Sequence, residues 1–197
     1  MNHVLGFTDT GARAAPFAVL ELFGVGVLVV PSGGGRSARE RLALQVHCSE
    51  ALESFLPIAP ACPVPSDALE RSLYARADEI ARQLERVRGK VQVTIQCHDD
   101  APARADRADV WLQARARWRS RHRNALDMLA ACCRRLGAEA VAASPNRLDV
   151  LCARARLGEM LGGLGSADMA PEGPGRLGVT VTGPWPVFAF VTEAATS

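Results

Sequence analysis

Lysine is almost absent from this sequence: Lys90 is the only one among 23 basic residues. A bias that uniform belongs to the chain as a whole, so an arginine carries little functional weight merely for being arginine. Secretory features are missing as well. Met1-Asn2-His3 supplies no basic leader, and Asp9 and Arg13 interrupt the first apolar stretch. The longest apolar run, residues 17–30, is too short for a membrane span and contains Glu21. A soluble, cytoplasmic protein is expected, with no lipid membrane as partner. Cys-x-x-Cys does not occur, and Cys132 and Cys133 are adjacent, so the six cysteines read as thiols rather than disulfides or zinc ligands. Gly33-Gly34-Gly35 has no Lys-Ser/Thr after it, and Gly162-Gly163-Leu164-Gly165 follows a helix instead of opening one. Neither is a phosphate or dinucleotide loop. Asp99-Asp100 lacks the company a Mg²⁺ site needs and reads as a turn at a strand end. No cofactor, metal or catalytic residue is expected, and no short-period repeat is present.

What is present suits a packed protein. The 197 residues are 48% hydrophobic and 22% charged, with a formal net charge of +2. That allows one large domain or two small ones and creates no global attraction to nucleic acid. Residues 3–7 form a short apolar stretch with strand character. Residues 17–22 and 25–30 flank a glycine-containing turn and read as a hairpin. Ser37 and Glu40 have capping-box spacing and predict a helix to about Phe55, with Leu44, Cys48, Ala51 and Phe55 on one face. Pro57, Pro60, Pro63 and Pro65 impose an extended connector. Asp67 and Glu70 open a second helix, in which Leu69, Leu73, Ala77, Ile80, Leu84 and Val87 recur every three or four residues. Gly89 follows where a C-terminal cap needs positive φ. Val91, Val93, Ile95 and Cys97 then alternate with polar residues, as in a half-buried strand.

The second half opens with a long helix, residues 110–136, with Trp111, Trp118, Ala125, Leu129, Cys132 and Leu136 on one face and Gly137 as its stop. A possible extra strand lies at 138–142, a strand at 147–153, a short helix at 154–161 and a loop at 162–175. Leu177, Val179 and Val181 alternate as a last strand. The class expected is α+β, helices on one face of a mainly antiparallel sheet, in two small domains. The N-terminal one, residues 1–98, reads as ferredoxin-like with a split βαβ. Residues 99–109 form a linker, and 110–197 a C-terminal α+β domain with the long helix, for which a ferredoxin-like arrangement also fits.

Three passages in this order resemble a known family. Gly183-Pro184-Trp185-Pro186, with Phe190 beyond it, resembles the C-terminal signature of the gas vesicle GvpF/GvpL proteins, usually Gly-Pro-Trp-Pro-Pro-Tyr-Ser-Phe. Val187, Phe188 and Ala189 depart from it. Residues 79–93 are similar to the family's leucine-rich helix, Gly-Lys and strand, here with Gly89 and Lys90. His47 stands where the family has a histidine, and residues 148–152 match an apolar strand. The family's Pro-x-Arg-Phe-Gly-Thr-like segment is replaced by Cys62-Pro63-Val64-Pro65-Ser66, which identifies a divergent, shortened member. The resemblance implies an N-terminal ferredoxin-like domain and a C-terminal α+β domain. It implies an accessory protein of gas vesicles that contacts the small hydrophobic shell protein and other accessory proteins, without enzymatic activity.

Beside the resemblance, three constellations invite a chemical reading. Pro184 and Pro186 fix φ and remove N–H donors, so a strand ladder should end there. Trp185 is then either a packed corner closing the C-terminal domain or, with Phe188, an exposed anchor for a hydrophobic partner. The window 104–123 carries seven arginines against two aspartates, a net of +5 that leaves −3 for the rest of the chain. Within it Trp111, Arg115, Trp118, Arg119 and Arg123 are candidate contacts. The readings are a solvated helix with arginine stems over tryptophan rings, a basic surface for acidic side chains of the shell protein, or an RNA-binding surface. Few aromatics and no aromatic-rich RNP-type strand weigh against RNA. His47-Cys48 and Cys97-His98 are the only pairs suited to a thiolate–imidazole enzyme. Both cysteines fall on apolar faces, where a thiol is usually a small buried hydrophobe.

Overall fold

A computed structural model describes residues 2–13, 17–31, 37–58, 66–99, 102–166 and 177–190. The proline connector at 59–65, the triglycine at 33–35, Asp100 and residues 167–175 of the expected loop lie outside the described residues.

The first strands are β1 (Asn2–Thr8), β2 (Ala18–Leu22) and β3 (Val25–Pro31). β2 and β3 form the expected hairpin through Phe23 and Gly24, with φ of 52° and 78°. Positive φ at both central residues is the type I′ geometry that matches the twist of paired strands. Helix α1 (Ala38–Ala51) begins with the full capping box: Ser37 Oγ accepts from the Glu40 amide at 3.2 Å, and the Glu40 carboxylate accepts from the Ser37 amide at 2.7 Å. The helix stops before Phe55 because the chain turns at Leu52 into a two-residue strand, β4 (Leu56–Pro57). Pro57 is tolerated there because β4 is the edge of its sheet, ordered β2-β3-β1-β4. Gly6 of β1 lies opposite Pro57, and a Cβ on it would stand 2.3 Å from the Leu56 carbonyl oxygen. β1 is antiparallel to both β3 and β4, so α1 joins two mutually parallel strands across it. That is the split βαβ expected for this part of the chain.

Two details differ from the sequence pattern. The buried positions of α1 are Gln45 and Cys48; Leu44 is half-buried and Ala51 exposed. The Gln45 side-chain amide donates to the Leu5 carbonyl at 2.8 Å and to the Ile58 carbonyl at 2.7 Å, so a polar residue satisfies backbone acceptors at the sheet edge. Sheet coverage differs too. β3 is buried at every position from Val25 to Val30, so both faces are covered rather than one. Leu28 and Val30 pack with Cys48 and Leu52, while helix α2 (Ser66–Val87) packs against β1, β3 and β4. In α2, Leu69, Leu73, Ile80, Leu84 and Val87 are buried as the periodicity predicts.

The remaining elements are β5 (Lys90–His98), α3 (Ala108–Arg135), β6 (Glu139–Ser144), β7 (Arg147–Ala153), α4 (Leu157–Ser166) and β8 (Gly178–Trp185). A 3-10 turn (Arg154–Arg156) leads into α4. The order β6-β7-β5-β8, with the chain running β5-α3-β6-β7-α4-β8, is the ferredoxin-like order complete with both helices. Residues 162–166, expected in a loop, extend α4. β7 is buried from Leu148 to Cys152, including Asp149. That carboxylate accepts from Thr94 Oγ1 at 2.6 Å and from the Arg147 guanidinium at 3.1 Å, which keeps the buried charge paired. The class is therefore α+β, with two mixed layers of helix and sheet.

The chain divides into two compact units, one taking Met1–Val91 and Pro184–Ser197, the other Gln92–Gly183. This differs from a division at 1–98, 99–109 and 110–197. The boundary falls inside β5, between Val91 and Gln92, and residues 99–109 fall in the second unit. The tail from Pro184 groups with the first unit. β8 also continues through Pro184 to Trp185 rather than ending before it. It is an edge strand, where a missing N–H costs no ladder bond. Among the described residues no helix is long and apolar enough to cross a membrane.

Candidate protein-interaction site

α3 has 28 residues and is about 42 Å long at the usual rise. The strands beneath it, β6 and β7, have six and seven residues and span only about 20–23 Å. About half of the helix must therefore extend past the sheet. The burial pattern divides it at that point. From His122 onward, His122, Ala125, Leu126, Leu129, Ala130 and Cys133 are buried, against β6, β7 and α4. Before it, residues 108–121 are exposed except for half-buried Trp111, Ala114, Trp118 and Arg121. The face expected from the sequence is thus kept at Ala125 and Leu129, but Cys133 replaces Cys132, which is half-buried.

The tryptophans and arginines of the extending half are organised in two stripes. Trp111 carries the Arg115 guanidinium 5.0 Å above its ring, a cation–π contact. Arg115, Arg119 and Arg123, spaced by four, share one stripe and are exposed without an ion pair among the described residues. Leu112, 57% exposed, lies on their flank. On the other side the Trp118 ring lies 4.1 Å from the fully buried His122 ring, tilted by 44°, and His122 Nδ1 lies 2.9 Å from the Trp118 carbonyl oxygen. Pro102, Ala114, Arg117, Trp118 and Arg121 line an open cleft of about 320 Å³. Arg121 is ion-paired with Asp99, whereas Arg117 is exposed and unpaired among the described residues. At the start of the helix the Arg107 guanidinium hydrogen-bonds Asp109 and holds its carboxyl below the usual range. Arg117 and Arg121 belong to the arginine-rich window read in sequence, but Ala114 carries no sequence signal of its own; the 111-114-118-121 spacing of half-buried residues is the signal that marks the cleft.

The other candidate residues are not brought to this site. His47 is exposed and meets the Phe17 ring edge-on at 6.0 Å, while its neighbour Cys48 is fully buried. Burial pushes the Cys48 thiol up to about 12 and raises that of Cys97, so neither is a ready thiolate. Gly89, just past α2, has the positive φ of 64° that a C-terminal cap needs, and its amide donates outside the helix to the Glu53 carbonyl at 2.6 Å. Gly183 has φ of 125°. Pro184 is exposed and Trp185 half-buried, followed by buried Pro186 and Val187, half-buried Phe188 and buried Phe190. A 3-10 turn, Phe188–Phe190, fixes the segment, with the Phe188 amide donating to the Pro186 carbonyl at 2.7 Å. The motif is largely a packed corner, with Trp185 and Phe188 partly accessible. A separate apolar patch escaped the sequence reading: Phe23, half exposed at its positive φ, meets exposed Tyr74 edge-on at 5.3 Å. Among the described residues no three His, Cys, Asp or Glu side chains gather as metal ligands.

No family model matches the sequence, and no curated protein matches it. Solved structures do. The crystal structure of the gas vesicle protein GvpF from Anabaena sp. PCC7120 aligns with a TM-score of 0.75 over 96% of this chain and 94% of that one, at 11% identity. The crystal structure of gas vesicle protein GvpF from Microcystis aeruginosa aligns with a TM-score of 0.74 over 96% and 98%, at 10% identity. Identity that low carries the likeness in backbone rather than in side chains, and the resemblance read from the Gly183-Pro184-Trp185-Pro186 signature holds at that level. Over nearly its whole length, this chain has the fold of GvpF.

Proposed function

We propose that this protein is a gas vesicle accessory protein that assists shell assembly by direct contact with the hydrophobic shell protein, without catalysis. The observation that carries the reading is the fold likeness to GvpF over 96% of the chain. The family signature at Gly183–Pro186 supports it independently of the backbone. On this reading the protein works in the cytoplasm, associated with gas vesicles and their other accessory proteins. The contact surface is the extending half of α3, where Arg115, Arg119 and Arg123 offer unpaired positive charge beside exposed Leu112. Such a stripe fits acidic side chains flanked by apolar ones. Trp185 and Phe188 are a secondary contact, limited by how much of each is accessible.

An RNA-binding role is the weaker alternative. Binding to single strands stacks bases on several aromatics, whereas aromatic residues make up only 5% of this chain and the Arg115 guanidinium stands over the Trp111 ring. A thiol enzyme is weaker still, given the buried, protonated Cys48. Co-expression with the shell protein tests the proposal. Wild-type protein should co-purify with it. Replacing Arg115, Arg119 and Arg123 by Glu should abolish capture, and Trp185→Ala should reduce it. Unchanged capture by the triple variant removes α3 as the contact, and no capture by wild type removes the assembly reading.

A further inference from the structure

The stripe of Arg115, Arg119 and Arg123 is only one side of the extending helix. The cleft on the other side has a different chemistry. Its floor is apolar, made by the Trp118 indole, Ala114 and Pro102. Arg121 also lines it, and its guanidinium already holds the Asp99 carboxylate. Arg117, one turn earlier on the same side, lines it too and is exposed without an ion pair among the described residues. The Trp118 ring lies 4.1 Å from the buried His122 ring, tilted by 44°, and His122 Nδ1 lies 2.9 Å from the Trp118 backbone carbonyl oxygen.

Size narrows the occupant. At about 320 Å³ the cleft is at the lower limit of small-molecule sites, suited to one or two side chains rather than a dinucleotide. It is open to solvent, so the occupant can belong to a continuous chain. Charge narrows it further. The window 104–123 is net +5 in a chain of +2, and Asp99 shows which group one of the cleft arginines prefers. A carboxylate on Arg117 and an apolar side chain over Trp118 would satisfy the cleft together. Arg is suited to a bidentate pair with a carboxylate, and a pocketed aromatic floor is where binding energy concentrates.

We propose that this cleft is a docking pocket for an acidic–apolar segment of a partner protein, taking an Asp or Glu on Arg117 and its apolar neighbour on Trp118. The proposal deepens the assembly reading, on which it rests for its biological partner, by naming a second contact and the side chains it selects.

The test uses full-length protein and a fluorescein-labelled twelve-residue peptide of alternating Glu and Leu, read by fluorescence anisotropy. Saturable binding is expected. Arg117→Glu and, separately, Ala114→Leu, which fills the cleft, should each weaken it by about tenfold or more. Both leave the Trp118–His122 contact in place, and circular dichroism confirms the fold of each. Arg82→Glu, at an exposed position of α2, should change binding by less than about threefold. A Glu/Ser peptide of equal charge should bind about tenfold more weakly. Equal binding of the Glu/Ser peptide, or no effect of Ala114→Leu, reduces the cleft to a diffuse charge effect and overturns the proposal. Tighter binding of a labelled oligouridylate that Arg117→Glu removes overturns it in favour of nucleic acid. Because the titration needs no gas vesicle protein, the two readings fail separately. Lost shell capture with intact peptide binding counts against the assembly role, and absent peptide binding with intact capture counts against the cleft.

Discussion

The two sheets share one strand order, β2-β3-β1-β4 and β6-β7-β5-β8, yet the connection between their first two strands is unlike. In the first unit β1 reaches β2 through residues 9–17, with no helix among the described residues. In the second, the 28-residue α3 stands at that place. The sheets need the same strand neighbours to bury their faces, but nothing in the sheet limits the length of the crossover. α3 uses that freedom: one half is core, and the other presents tryptophan and arginine beyond the strands. The lesson is that packing constrains the part of an element over the sheet and leaves the rest available for contact.

Substitutions can break or sharpen this division of α3. The largest effect is expected at Leu129, 1% exposed over the sheet: Leu129→Ala should cost about 2–5 kcal/mol, measured by urea unfolding. A loss below about 1 kcal/mol would mean that the second half of α3 is not core. The adjacent cysteines sharpen the same boundary. Cys133 is fully buried and its thiol is pushed up to about 11, first by burial and then by neighbouring Cys132 and Cys152. Iodoacetamide at pH 8 should therefore label half-buried Cys132 well before Cys133, read by peptide mass mapping. The folded chain holds the Cys133 proton more tightly than the unfolded one. Its stabilising contribution is thus complete below the ordinary value of 9.0 and is lost as pH rises towards about 11. Equal labelling of the two cysteines at pH 8 would contradict the packing. The smallest effects belong to the extending half. Arg119→Ala should change unfolding free energy by less than about 0.5 kcal/mol, and Arg115→Ala by about 0.5 kcal/mol through its contact with Trp111. A larger cost in either would mean that this half, too, is structural.

Much of this was legible where the physics is local. The Ser37–Glu40 box, the apolar stripe of α2, the stop at Gly89 and the β2–β3 hairpin depend on a few neighbouring residues, and each stands as predicted. The family signature also pointed to the fold, although its own residues form a corner more than a surface. The site was legible only in part. Trp111, Arg115, Trp118, Arg119 and Arg123 could be named as a group. Which arginines share a stripe with an apolar floor depended on where burial stops along the helix. Ala114, Pro102 and Asp99 have no distinguishing feature until the segment after β5 is laid beside α3.

The sequence by itself determined which stretches are helix or strand and where α1 starts and α2 stops, because caps, turns and apolar periodicity act over one or two turns of chain. Only the tertiary structure decided which residues face inward where the pattern was ambiguous. Gln45 is buried with its side-chain amide donating to the Leu5 and Ile58 carbonyls, and Cys133 is buried rather than Cys132 on the α3 that packs against β6, β7 and α4. It also decided that β5 crosses from one unit to the other at Val91 and that the chain from Pro184 returns to the first. Strand pairing joins residues far apart in sequence, and no local signal records which distant strand will supply the partner.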